Sequence, residues 1–319
     1  MRGMIGTMMK INFKDIYENM KFQPFNTQKK LDVDTILSVY YGKTIDNKLR
    51  LSFLSKKMPP VIASTRLISI YQVSEENNIY WTCFDLLDIK AATIFYYICD
   101  DIVLSIVSEY NEDIALKKIK NRFDLWKKVL NKPINKEMTI EEAKGLFGEL
   151  YFLNSYMFEK YGIEKAIKSW SGPDDYPKDF SIDNTWYEIK TTSINSNIIK
   201  ISSLGQLDSE DDGNLVIIRL ENMSEEYDDG LSSLGELLND IYSKIDDLDL
   251  RGMLIEKLMR KGYLIHNSNT SYKFRFVNKT IYLVNDDFPR IKQSDIKYSE
   301  VEEVVYSLRI SSLERFKKC

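Results

Sequence analysis

The segment Tyr176-Pro177-Lys178-Asp179-Phe180-Ser181-Ile182-Asp183-Asn184-Thr185-Trp186-Tyr187-Glu188-Ile189-Lys190 brings two carboxylates and an amine within reach of one another. Its turn falls at Asp183-Asn184, two residues that tolerate left-handed backbone. Pairing outward from a two-residue turn sets Asp179 opposite Glu188, with Cα atoms about 4.5–5.5 Å apart. Glu188 and Lys190 are two apart and share a strand face. Like charges directly opposite destabilise a hairpin, and a divalent cation between them reverses that sign. Hard oxygen ligands suit Mg²⁺. A lysine beside the metal orients or deprotonates a water and stabilises charge developing on a phosphate. The competing reading is an ordinary amphipathic hairpin whose lysine neutralises the acids, and spacing alone does not choose between them.

The flanks choose. Upstream stands Gly145-Leu146-Phe147-Gly148-Glu149-Leu150-Tyr151-Phe152-Leu153, and downstream Ile199-Lys200-Ile201-Ser202-Ser203-Leu204-Gly205-Gln206-Leu207. Between them lie Trp170-Ser171-Gly172-Pro173, Asp179-Phe180 and Glu188-Ile189-Lys190-Thr191-Thr192. This ordered series, over residues 138–207, resembles the PD-(D/E)XK nuclease superfamily, in particular its bacterial group found among restriction-modification and phage-defence genes. Lys178 separates Pro177 from Asp179, so the literal Pro-Asp pair is absent and Asp174 or Asp175 is the alternative acid.

The resemblance implies an α/β (α+β) fold with a restriction-endonuclease-like mixed-sheet core. It implies a Mg²⁺-dependent DNA endonuclease, with Mn²⁺ as a substitute, that hydrolyses phosphodiesters through metal-activated water in a restriction or phage-defence system. Asp179 and Glu188 would bind the metal with the Ile189 carbonyl, and Lys190 would serve the attacking water. Glu149 would be a helix-borne acid holding a metal water or a second cation. Gln206, with Ser202 or Ser203, would contact the scissile phosphate or orient Lys190. The alternative is a nuclease-like module that binds DNA or a partner without cutting.

Those residues need elements to hold them. Leu146, Phe147, Leu150, Leu153 and Met157 recur at helical spacing from Ile140 to about Tyr161, with Glu149 on or beside the apolar stripe. A structural, satisfied Glu149 is the rival reading, since a glutamate is seldom buried without a partner. Thr139 followed by Glu142 marks the helix start as a capping box.

Three blocks emerge. Residues 1–136 are expected to be a β-rich domain for recognition, dimerisation or docking. Its strands fall at Ile36–Tyr41, Leu49–Ser55, Leu67–Val73, Tyr80–Leu86 and Ala92–Cys99. An amphipathic helix follows at 111–130, with Ile114, Ile119, Phe123, Trp126 and Leu130 inward. A linker falls at 131–136. Residues 137–230 form the nuclease core, with short strands near Ala166–Trp170, at Asn197–Ser203 and at Leu215–Leu220. Residues 231–319 form a helical and β extension: one or two helices between Leu231 and Lys261, strands at Tyr272–Val277 and Thr280–Val284 joined by Asn278-Lys279, and a strand near Val304–Ile310.

Composition bounds the rest. The chain has 319 residues and 44% hydrophobic content, ample for a large core. No apolar run reaches about 18 residues, so no membrane span is expected. The N-terminus lacks the apolar stretch of a secretory signal. Cys83, Cys99 and Cys319 show no metal spacing and suit a reducing cytoplasm. A lone histidine, His266, excludes a multi-histidine zinc site. The net charge of −4 is uneven: residues 205–250 carry 14 acids against 2 bases, whereas residues 251–319 carry 14 bases against 8 acids. The basic C-terminal block is the better candidate for phosphate contacts, whereas the lysines of 111–130 could touch DNA but read first as a solvated face. No Walker-type loop occurs, so ATP-driven translocation would need an ATPase partner subunit. A homodimer or a methyltransferase partner would complete a restriction assembly.

Overall fold

Apolar residues alternating with polar ones, and asparagines that accept left-handed backbone at the corners, build the first sheet. Its strands are β1 (Thr27–Lys30), β2 (Ser38–Lys43), β3 (Leu49–Ser55), β4 (Ile68–Glu75) and β5 (Ile79–Leu86), antiparallel in the order β1-β2-β3-β5-β4. Asn47 turns β2 into β3, and Asn77 and Asn78 turn β4 into β5, all at positive φ. The structure is a computed structural model that describes residues 11–20, 23–130, 138–171, 177–263 and 272–318. The expected linker at 131–136, Asp174, Asp175, His266 and Cys319 lie outside them. The chain divides into two compact units, one drawn from residues 1–135 and the other from residues 136–263 and 268–319.

Besides the sheet, the first unit holds α1 (Phe13–Glu18), α2 (Ala92–Ser105) and α3 (Glu112–Leu130). The strand expected at Ala92–Cys99 is thus a helix. Ala92, Ile94, Phe95, Tyr97, Ile98 and Cys99 are all buried, and a run apolar on every side does not separate a buried strand from a buried helix. In α3, Ile119, Phe123, Trp126 and Leu130 point inward, whereas Ile114 is exposed. Several of its basic residues are already paired. Arg122 clasps buried Asp101 at 2.6 and 2.9 Å, and Trp126 donates to the same carboxylate at 2.8 Å. Lys118 meets Glu109, and Lys120 meets Asp124.

The second unit starts at Thr139, whose capping box with Glu142 opens α4 (Ile140–Phe152). The helix runs on through a π-turn at Leu153–Met157 into α5 (Phe158–Tyr161). The strand expected at Ala166–Trp170 is instead α6 (Ile163–Ser169), and Trp170 alone makes a β-bridge, to Phe180. Seven residues are too few for the two periodicities to separate, and the Glu164–Lys168 pair favours the helix.

Four strands form the central sheet in the order β10-β9-β7-β6: β6 (Phe180–Ile182), β7 (Thr185–Thr192), β9 (Gly213–Met223) and β10 (Lys273–Val284). β7 and β9 run parallel and the other pairs antiparallel. β10 passes through Asn278-Lys279 without turning: the register slips between Phe276 and Asn278 as a bulge, and both halves pair with β9. Residues on both sides of position 230 therefore share one sheet. Two helices, α7 (Leu234–Lys244) and α8 (Leu248–Arg260), fill the interval before β10.

Helix α4 covers one face of the sheet. A Cβ on Gly148 would fall 2.2 Å from Thr191 Cγ2, so the helix sits on β7 as closely as glycine allows. The opposite face packs Trp186, Leu215, Ile217 and Tyr282 against a two-stranded sheet of β8 (Ile198–Ile201) and β11 (Tyr306–Arg309), through Ile199, Ile201 and Leu308. This mixed content is that of an α+β, restriction-endonuclease-like fold. Among the described residues no helix is long and apolar enough to cross a membrane.

Candidate functional site

The hairpin at β6–β7 has the register that its turn implies. Phe180 pairs with Tyr187 and Ile182 with Thr185, and Asp183 takes the left-handed turn at φ 51°. Continuing that register sets Asp179 opposite Glu188. One Asp179 oxygen accepts the Ile189 backbone N–H at 2.7 Å. The N–H and C=O of a strand residue leave the strand on the same side, so the Ile189 carbonyl also faces Asp179. Glu188 is only 2% exposed.

Lys190 lies on the Glu188 face of β7, away from α4. Its ammonium is 2.9 Å from Glu188 Oε1 and donates at 2.9 Å to Gln206 Oε1. The same amide oxygen accepts Ser202 N–H at 2.8 Å, so Gln206 closes its own loop while holding Lys190. Gly205 makes that loop fit, because a Cβ there would approach Pro177 Cβ to 2.8 Å. Lys178, 4% exposed, adds a second tie: its ammonium donates to the carbonyls of Gly205 and Asp208 and lies 4.1 Å from the Trp186 ring centre. Burial brings its pKa down to about 8 despite the nearby Glu188 and Asp208 charges. The residue that interrupts the Pro-Asp pair is therefore turned away from Asp179, to fasten the Gln206 loop.

Glu149 reaches the sheet edge from α4. Leu146, Leu150, Leu153 and Met157 are buried, as the helical spacing requires. One Glu149 oxygen accepts the Trp170 indole N–H at 2.7 Å and meets the Lys261 ammonium at 2.5 Å. That ammonium is 3.9 Å from Asp179 Oδ1. Trp170 stood in the ordered motif series. Lys261 did not, and lies 112 residues beyond Glu149.

The electrostatics are those of acids crowded out of water. Burial, then the Glu149 and Glu188 charges, push Asp179 well above the usual carboxylate range, against Lys261 and the Ile189 N–H. Burial also raises Glu188, against Lys190. Burial alone would lower Lys261, but Glu149, Asp179 and Glu188 outweigh it and raise the net value.

The donor set is hard oxygen: two facing carboxylates and an adjacent carbonyl, which fits Mg²⁺ or Mn²⁺ completed by water and phosphate. Among the described residues no group of three or more acids, histidines or cysteines converges closely enough to hold an ion by side chains alone. The third acid, Glu149, is engaged by Lys261. Two clefts, one beside Lys144 and Glu221 and one beside Arg315 and Lys318, are lined by other residues.

A family model described as a putative PD-(D/E)XK family member matches residues 13–311, nearly the whole chain, and the chain belongs to that family. No curated protein and no solved structure matches it.

Proposed function

We propose that this PD-(D/E)XK family member is a Mg²⁺-dependent endonuclease that hydrolyses phosphodiester bonds in DNA, with Mn²⁺ able to replace Mg²⁺. The observation that carries the reading is Lys190, held between Glu188 and Gln206 beside the facing Asp179. Asp179, Glu188 and the Ile189 carbonyl would hold the ion. When bound, it supplies Lewis acidity at the phosphoryl oxygen and a more acidic water. Lys190 has its hydrogen-bond partners preset, and it orients that water or meets charge developing on the phosphate. Gln206 fixes Lys190, and Lys178 fixes the Gln206 loop. Glu149 is the third acid of the group. The first unit would supply recognition, dimerisation or partner docking, in a bacterial restriction or phage-defence assembly in the cytoplasm.

A second reading, a binding module that does not cut, is favoured by one observation: Lys261 occupies the space between Glu149 and Asp179. Incubation with supercoiled, linear and single-stranded DNA separates the two. The nuclease reading requires Mg²⁺- or Mn²⁺-dependent cleavage of at least one form, abolished by EDTA. Retention of all three forms uncut, under conditions where they bind, establishes the binding module.

A further inference from the structure

The two ends of Lys261 are fixed by the fold. It is the C-cap of α8, followed by Gly262 at φ +82°. Tyr263 N–H returns to Leu258 C=O and Gly262 N–H to Met259 C=O, both at 3.0 Å, the paired bonds of a Schellman stop. One turn earlier, Lys257 donates to the carbonyls of Ile167, Lys168 and Trp170, docking α8 against the end of α6. Trp170 in turn donates its indole N–H to Glu149. The Lys261 ammonium therefore enters the acid cluster on a rigid mount, 14% exposed, and meets Glu149 and Asp179 there.

We infer that the Lys261 ammonium is a built-in cation standing where a second metal ion would bridge Glu149 and Asp179, so that the site takes a single divalent ion. The inference rests on the metal-dependent reading above. Charge supports it. Glu149, Asp179 and Glu188 carry three negative charges, and Lys190 and Lys261 return two. One divalent ion and one phosphodiester then leave the group neutral, whereas a second ion would add two uncompensated charges to a largely buried site, at steep cost. Glu149 thus acts as a positioning residue through Lys261 and is not itself an ion ligand.

Mn²⁺ stoichiometry tests this without reference to turnover, by electron paramagnetic resonance of the full chain titrated with Mn²⁺. Wild type should bind one Mn²⁺ per chain at the site. Lys261→Met should bind two, because Glu149 and Asp179 then face each other without a cation, and Lys261→Arg should return the count to one. Glu149→Gln should keep one Mn²⁺ with affinity within about 3-fold of wild type, a result that does not depend on Lys261→Met folding. Two ions in wild type, one ion in folded Lys261→Met, or a loss of about 10-fold or more in Mn²⁺ affinity in Glu149→Gln overturns the inference while leaving the metal-dependent reading intact. No site-bound Mn²⁺ in wild type removes that reading, and the inference with it.

Discussion

Replacing Asp179 by asparagine should make the metal-free protein more stable. Glu188 stands across the hairpin, and its charge repels Asp179 less strongly than that of Glu149 does. Lys261 Nζ lies 2.5 Å from Glu149 and 3.9 Å from Asp179, which bounds the separation of those two acids at about 6.4 Å. At an effective dielectric constant of about 20, the Glu149 repulsion comes to about 3 kcal/mol, the Glu188 repulsion to about 3 kcal/mol at most, and the Lys261 attraction to about 4 kcal/mol. The ionised carboxylate is left up to roughly 2 kcal/mol unfavourable before its desolvation, the largest cause of its raised pKa, is counted. Asparagine keeps an oxygen for the Ile189 N–H and drops the charge. At pH 8 the variant should gain about 1–3 kcal/mol, or roughly 2–10 °C in Tm for a unit of this size. The assay is a thermal melt in EDTA, with circular dichroism to verify the fold, repeated in Mg²⁺. Wild type should be stabilised by Mg²⁺ and Asp179→Asn should not. A metal-free variant that melts several degrees below wild type would show instead that Asp179 is a structural acid.

Lys190→Ala should cost about 10²–10⁴ in cleavage rate with little loss of DNA binding, measured by single-turnover cleavage beside a gel-shift titration. Asp179 and Glu188 have raised folded pKa values, so their contribution to metal-free stability is present below the ordinary carboxylate range and is lost as pH rises through the raised values. Bound Mg²⁺ favours the ionised forms, so its thermal shift should grow as pH rises from the ordinary carboxylate range through the raised values, and a pH-independent shift would contradict this. Gly148→Ala should destabilise by about 1–3 kcal/mol in a urea melt, because the new methyl meets Thr191 on β7.

The hairpin was legible in the sequence because its signals are local. A two-residue turn with a left-handed Asp183 fixes the register, and a period of two fixes the shared face of Glu188 and Lys190. The start of α4 was legible for the same reason, through Thr139 and Glu142. Ala92–Cys99 and Ala166–Ser169 are helical where their apolar runs suggest strands, because tertiary burial, not periodicity, decides short apolar runs. Asn278-Lys279 makes no turn, because a bulge lets one strand absorb polar residues that would otherwise mark a corner. Lys261 and Lys178 were illegible as parts of the site. A lysine ahead of Gly-Tyr announces a helix end, but only the packing of α8 on α6 aims that lysine at Glu149, and only the Gly205–Asp208 carbonyls explain why a lysine is buried beside Asp179.

Whether the Asp179–Glu188–Lys190 patch cuts DNA is read from the Mg²⁺-dependent cleavage rate of wild type against Asp179→Ala. Both proteins should be shown to be folded and to bind the same DNA. The expected result is metal-dependent cleavage by wild type and none detectable above the EDTA control by the variant. Equal rates for the two proteins would place the chemistry outside this patch, elsewhere in the chain or in a contaminant.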